Sequence, residues 1–206
     1  EKNSILYCSR FFPEVKSPEY KEFLYDEMEA LITAAGGRTL ALFTSNAAMY
    51  AAIDAMRERL PFPILGPKDY PRQTLIDMFN ADEPTCIFAS QGFFQGVDFP
   101  GRTLSLVILD KLPFPTPTDP LLEARRDAIG RDKSFGEIDL PMAATSLAQA
   151  AGRLIRTDTD RGVVAVFDSR LATAKYKWTL INAMPPMNKT RERPVVEQFL
   201  RDITQD

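Results

Sequence analysis

Gln149-Ala150-Ala151-Gly152-Arg153-Leu154-Ile155-Arg156 is followed, after a short polar stretch, by the apolar run Gly162-Val-Val-Ala-Val-Phe167. On a helix, Gln149, Arg153 and Arg156 fall at i, i+4 and i+7 and share one face, while Ala150, Ala151, Leu154 and Ile155 cover the opposite ones. Two guanidiniums and an amide in a row form a donor array suited to phosphate oxygens, because each guanidinium stays charged and binds bidentately. An RxxR pair alone reads as an exposed helix face. The glutamine, the small residues, Gly152 and the strand that follows favour an anion site.

Outward from this stretch the chain alternates strands and helices. Ser17-Pro18 opens a helix as a cap followed by proline in the first position, with Tyr20, Phe23, Leu24, Leu31 and Ile32 on one face and Gly36-Gly37 ending it near Ala35. Thr39–Phe43 reads as a strand and residues 46–60 as a helix. Prolines 61, 63, 67 and 71 punctuate a loop around a short strand at Ile64-Leu65. Arg72–Asn80 reads as a helix, Thr85–Ala89 and Leu104–Leu109 as strands. The run Leu112-Pro-Phe-Pro-Thr-Pro-Thr-Asp-Pro120 is too proline-rich for a helix or a central strand and leads into a helix over Asp119–Ile129. A second helix from Pro141 delivers Gln149, and Lys175–Met184 and Pro194–Thr204 close the chain as helices. Strands apolar on both faces, alternating with helices, indicate a parallel sheet covered on both sides. The expected organisation is one domain over residues 1–206, with a proline-rich crossover and helical insertion at 112–148 and a C-terminal tail helix within 185–206.

The chain has 206 residues, enough for one sizeable domain. Its 45% apolar and 26% charged residues are ordinary for a globular protein. No apolar run of about 18 residues and no signal-peptide pattern suggests membrane insertion or export. A net charge of −3 argues against strong nonspecific DNA binding, since phosphate neutralisation dominates such affinity, so any nucleic-acid contact must be local. With no histidine and only two cysteines, Cys8 and Cys86, the chain lacks the ligands for a four-cysteine iron–sulfur cluster. No metal site is expected.

Ligands of open parallel sheets sit beyond the carboxyl ends of the strands. After the second strand region come Thr44, Ser45 and Asn46, whose hydroxyls and helix-start amides suit a phosphate, with a plain helix cap as the alternative. After Thr85–Ala89 come Ser90, Gln91 and Gly92, then Gly96 and Asp98. The glycines admit a close ligand, and Asp98 is suited to accept from a ribose hydroxyl or to anchor an arginine, or else is a turn aspartate. Phe93 and Phe94 read as core rather than base-stacking residues, Asp168 and Arg170 as a pair or a sheet cap, and Lys175 and Lys177 as a solvated helix face rather than a DNA-backbone contact.

Three segments together carry a family resemblance. Gln149–Arg156 resembles the arginine-bearing motif VI of superfamily 2 helicases. Ala89-Ser-Gln-Gly-Phe-Phe-Gln-Gly-Val-Asp-Phe-Pro-Gly101, with Leu106-Val-Ile-Leu-Asp-Lys-Leu-Pro-Phe114, resembles motif V and the following strand in the DinG/XPD branch. Leu42-Phe-Thr-Ser-Asn46 sits where that branch carries motif IV. Gln95 departs from the pattern, standing where many relatives place Glu, and bears on the charge beside the nucleotide. The chain has no G-x-x-x-x-G-K-[ST] and, lacking histidine, no Asp-Glu-x-His. In the family those parts belong to the first lobe.

The resemblance therefore implies an α/β, RecA-like (P-loop NTPase-type) three-layer domain with a mostly parallel central sheet: the second helicase lobe, without its own P-loop, cut from the first. It implies ATP with Mg shared with the N-terminal helicase lobe of the same chain, single-stranded DNA as partner, 5′→3′ translocation and a cytoplasmic location. It assigns Arg156 as arginine finger, Arg153 as its partner and Gln149 as interface sensor, all three facing the nucleotide with Gly96 and Asp98. It assigns Thr44, Ser45, Asn46, Ser90 and Gln91 to nucleic acid. An iron–sulfur cluster, where relatives have one, lies in the other lobe. The rival readings are a degenerate, non-catalytic helicase-like module binding nucleic acid or a protein, and a stand-alone α/β hydrolase. The latter suffers from the missing histidine and G-x-S-x-G elbow.

Overall fold

Parallel pairing orders the whole molecule. In the computed structural model, which describes residues 3–81, 84–90, 92 and 104–205, seven strands form one parallel sheet. In chain order they are β1 (Ser4–Tyr7), β2 (Thr39–Phe43), β3 (Ile64–Leu65), β4 (Cys86–Ser90), β5 (Leu106–Leu109), β6 (Gly162–Val166) and β7 (Asn188–Thr190). The spatial order is β3-β4-β2-β5-β6-β1-β7. Two of these strands were not expected from the sequence. β1 is Ser-Ile-Leu-Tyr, fully buried between β6 and β7, with Ile5 and Tyr7 facing one layer and Leu6 and Cys8 the other. β7 is a polar edge strand that extends the sheet through its pairing with β1.

Helices cover both faces. On one lie α1 (Pro18–Ala35), α2 (Asn46–Arg59) and α9 (Arg193–Thr204), packed against Ala41, Phe43, Phe88, Ile108 and Ala165. On the other lie α3 (Arg72–Ala81), α6 (Leu140–Gly152), α7 (Arg170–Thr173) and α8 (Lys177–Ala183), packed against Leu42, Ile87, Val107, Leu109, Val164 and Val166. The chain runs toward the β3 edge through α1 and α2 and returns through α3, α6 and α7. Right-handed crossovers put the outward and returning helices on opposite faces. The result is a three-layer RecA-like fold.

Local chemistry sets the element ends. Ser45 caps α2, its hydroxyl accepting from the Ala48 amide at 3.1 Å. Asp119 caps α4 (Pro120–Ile129), accepting from the amides of Leu121 and Leu122 at 2.9 and 3.2 Å. Ser17 stands at the α1 cap position but does not cap it, because its hydroxyl donates instead to the Glu14 carbonyl at 2.8 Å. Beyond α1, Gly37 has φ of 87°, and a Cβ there would lie 2.0 Å from the Pro84 carbonyl oxygen, so only glycine fits.

The crossover from β5 to β6 contains α4, the short α5 (Arg131–Ser134) and a π-helical turn over Phe135–Asp139 that runs directly into α6. Buried Arg126 clamps it, its guanidinium reaching Asp139 at 2.7 Å and Glu123 at 2.8 Å. The expected helix over Lys175–Met184 is present as α8, and the short α7 before it was not expected; Ala174, with ψ of 147°, separates the two.

Candidate functional site

The sequence-selected residues divide between the two ends of the sheet. At the carboxyl end, the chain leaves β2 at Thr44, whose amide donates to Asp110 Oδ1 at 3.1 Å, while the Asp110 amide donates to Leu42 at 3.1 Å. Asp110 follows β5, the neighbour of β2, so this exchange locks the two strand ends together. Asp110 is 2% exposed, and burial pushes its carboxyl up to about 6 against the opposing pull of the Thr44 amide and Lys111. Thr44, Ser45 and Asn46 are exposed. Ser45 does serve as a helix cap, the alternative raised from the sequence, and its hydroxyl proton remains available to donate. Ser90 is brought beside this segment, since it pairs in register with Phe43. Gln91, Phe93, Phe94, Gln95, Gly96 and Asp98 lie outside the described residues.

Two strands further along, Asp168 follows β6. It is 5% exposed and accepts from the Leu112 amide at 3.0 Å and from the Arg170 guanidinium at 2.7 Å. Burial works to raise its carboxyl, but the Arg170 guanidinium and the two amides outweigh that and hold it below the usual range. The Arg170 guanidinium also lies 5.0 Å over the Phe114 ring. Asp168 and Arg170 therefore pair, tying the loop after β5 to the end of β6. The Tyr20 hydroxyl, at 3.2 Å from the Asp110 carbonyl and 2.9 Å from that of Phe167, pins the start of α1 to the same edge. Sequence reading gave Tyr20 only a core role, since nothing along the chain signals which strand ends meet above it.

The arginine stretch lies at the other end. The shared helix face expected for Gln149, Arg153 and Arg156 is not formed. α6 ends at Gly152, the amide of Arg153 turns back to Ala150 at 3.3 Å, and those of Leu154 and Ile155 to Ala151 at 3.1 and 2.9 Å. The cause is downstream. Asp160 Oδ2 accepts from the amides of both Arg156 and Thr157 at 2.8 Å, satisfying donors that a longer helix would have paired internally. Those amides hold the Asp160 carboxyl low although desolvation acts to raise it. Buried Leu154 and Ile155 turn into the core, and a Cβ on Gly162 would lie 2.6 Å from the Leu154 side chain, which would have to shift to admit it. Gln149 and Arg156 are exposed and Arg153 is half-buried. This turn faces the amino ends of β1 and β6, where the Asn3 side chain donates to the Asp158 carbonyl at 3.0 Å. The six residue-to-residue steps from Gly162 to Asp168 put about 20 Å between the arginine turn and the carboxyl end.

Cys8 and Cys86 sit on opposite faces of the sheet, and burial pushes their thiols to about 11 and about 12. Among the described residues no group of three or more His, Cys, Asp or Glu is placed to hold a metal ion, and no helix is long and apolar enough to cross a membrane.

Comparison with known proteins agrees with this architecture. The family described as "Helicase C-terminal domain" matches residues 28–187. The chain is 49% identical over 179 residues to the ATP-dependent helicase DinG of Mycobacterium tuberculosis, covering 86% of this chain and 27% of that protein. It is 35% identical over 201 residues to the ATP-dependent DNA helicase YoaA of Escherichia coli, covering 97% and 32%. The chain thus spans about a third or less of the length of these relatives. Among solved structures, an XPD helicase superposes with a TM-score of 0.69 at 20% identity over 91% of this chain and 35% of the other. Saccharomyces cerevisiae Dbp5 bound to RNA and ADP BeF3 superposes at 0.58 with 17% identity over 98% and 45%. A parallel three-layer sheet without a P-loop, an arginine-bearing turn at one end and a family match across most of its length make this chain a member of the helicase C-terminal domain family, as a RecA-like lobe of the DinG/XPD type.

Proposed function

We propose that this lobe is the C-terminal motor half of an ATP-dependent DNA helicase, acting in the cytoplasm and driving 5′→3′ translocation on single-stranded DNA. The carrying observation is the turn after α6. Arg156 is exposed on a backbone fixed by two amide bonds to Asp160, and Leu154 and Ile155 anchor that backbone in the core. With that backbone already fixed, only the side chain has to be ordered when the guanidinium meets a phosphate, which favours the preset donors that electrostatic catalysis requires. In this reading Arg156 is the finger on the γ-phosphate of Mg-bound ATP held by the P-loop lobe. Arg153 supports it, Gln149 senses closure, and Gly96 and Asp98 complete the nucleotide side. Thr44, Ser45, Asn46 and Ser90 contact the DNA backbone at the opposite end of the sheet, and Gln91 is assigned to the same contact.

The test is steady-state ATP hydrolysis by the two-lobe protein carrying this chain, with saturating single-stranded DNA. Arg156→Ala is expected to lower kcat by about 10³- to 10⁵-fold, or about 4–7 kcal/mol of barrier, with little change in KM, because the contact forms chiefly in the transition state. Arg156→Lys restores little, since an ammonium keeps the charge but loses the planar fork. An Arg156→Ala protein that keeps most of its kcat transfers the finger role to Arg153. If both single variants stay active, the reading fails.

A further inference from the structure

A groove at the β7 edge is used by none of these roles. It has a volume of about 220 Å³. Leu6, Cys8, Leu171, Ala172 and Ile181 make its floor, and Trp178, Lys177, Lys189 and Arg191 its rim. Trp178 is 53% exposed, a large apolar surface left in water. Two of these cations are held in place. Lys177 Nζ donates to the Ala172 carbonyl at 3.1 Å and lies 5.7 Å from the Trp178 ring, and Arg191 donates to the Ser9 and Arg10 carbonyls at 3.0 and 3.1 Å. Carbonyls fix these groups without neutralising them. Among the described residues no carboxylate lines the groove, and Glu192, next in sequence to Arg191, is paired with Arg10. In a chain of net charge −3, this is a local cationic cluster around an indole.

We propose that this groove binds single-stranded DNA, with Trp178 stacking on an unpaired base and Lys177, Lys189 and Arg191 meeting the flanking phosphates. The inference rests on the helicase reading above and adds a second contact region to it. Stacking on an exposed ring with cations on either side is how proteins hold single strands without regard to sequence. The volume falls below the roughly 300–1,000 Å³ of sites that engulf small molecules, which suits an open ledge for an extended chain. Thr190 ends β7 and Arg191 follows it, at the same carboxyl end of the sheet as Thr44 and Ser90. Four strand spacings of about 4.8 Å separate β2 from β7, so one strand crossing about 19 Å reaches both regions.

The experiment is fluorescence anisotropy of a labelled oligothymidine with the two-lobe protein, alongside DNA-stimulated ATP hydrolysis. Trp178→Ala is expected to weaken binding by about 5- to 100-fold and to raise by a similar factor the DNA concentration that half-maximally stimulates hydrolysis. Lys189→Glu weakens it and flattens the salt dependence. Trp178→Phe keeps most of the affinity, which separates stacking from a folding defect. Trp178 is the sole tryptophan of the chain, so its emission in the 206-residue lobe is expected to change on adding oligothymidine. Wild-type affinity in both Trp178→Ala and Lys189→Glu overturns the site, while Arg156→Ala tests the motor reading independently through kcat. Unchanged DNA affinity combined with lost association between this lobe and a separately purified P-loop lobe overturns it too, making the groove a lobe–lobe contact.

Discussion

Asp110 shows how one buried carboxyl can organise a proposed contact surface it never joins. Its carboxylate orients the Thr44 amide, and its ionisation is opposed by burial. Because its folded pKa of about 6 exceeds the ordinary 3.8, the folded state holds the proton more tightly than the unfolded one between those values. Stability is therefore lost as pH rises through that window, by up to about 3 kcal/mol for a shift of about two units. Asp168 acts in the opposite sense at lower pH. Its depressed pKa adds stability above the ordinary carboxylate value, and that stability is lost as pH falls through the folded value. Asp110→Asn keeps an oxygen for the Thr44 amide and removes the charge. Thermal melts should show the variant more stable than wild type at pH 7, with the gap closing near pH 4; a gap of equal size at both pH values contradicts the assignment. Nothing in the sequence singled out Asp110 within Leu106–Phe114, because its partner sits on a strand adjacent in space but far along the chain.

Among the elements, α6 and the turn behind it show where sequence periodicity stops being informative. The spacing of Gln149, Arg153 and Arg156 fits a helix, yet two amide bonds to Asp160 and the burial of Leu154 and Ile155 end that helix at Gly152. Propensity and spacing describe a segment in isolation, and here a side chain several residues on competes for its backbone donors. Gly162→Ala would press a methyl into the Leu154 side chain, and is expected to cost about 1–3 kcal/mol by overpacking. Leu154→Ala relieves that clash at the expense of a cavity, so the double variant should be less destabilised than the sum of the singles. Urea denaturation of all three measures this. Strict additivity would mean that the two residues do not meet. The long amphipathic helices were legible because their apolar faces repeat over several turns. β1 was not, being four residues without turn punctuation, and β7 carries no apolar signal at all, being a strand only because β1 lies beside it.

For the whole molecule, the alternation of apolar strands and helices was enough to read a covered parallel sheet, and three motifs in order were enough to read the family. The order of strands was not accessible, because it depends on β1 standing between β6 and β7. Nor did the sequence reveal that the arginine turn and the Thr44 region stand at opposite ends of that sheet. If the proposed division of labour holds, the purified lobe with Mg-ATP and single-stranded DNA should hydrolyse no faster than buffer. Turnover that disappears on mutating one of its own residues would contradict the shared-site argument. The separation itself has a mechanical consequence. β6 runs from Gly162, under the arginine turn, to Val166, two residues before Asp168, and it is buried along its whole length and paired on both sides by β1 and β5, so the two ends of the sheet belong to one packed body. A body of this kind converts rotation at one end into travel at the other. Pivoting it by about 15° sweeps a point about 20 Å away through about 5 Å. That stroke is on the scale of the 3.4 Å rise of one nucleotide along a strand, so under the proposed function a small hinge movement at the arginine end, geared by the length of the sheet, would suffice for a single-base step.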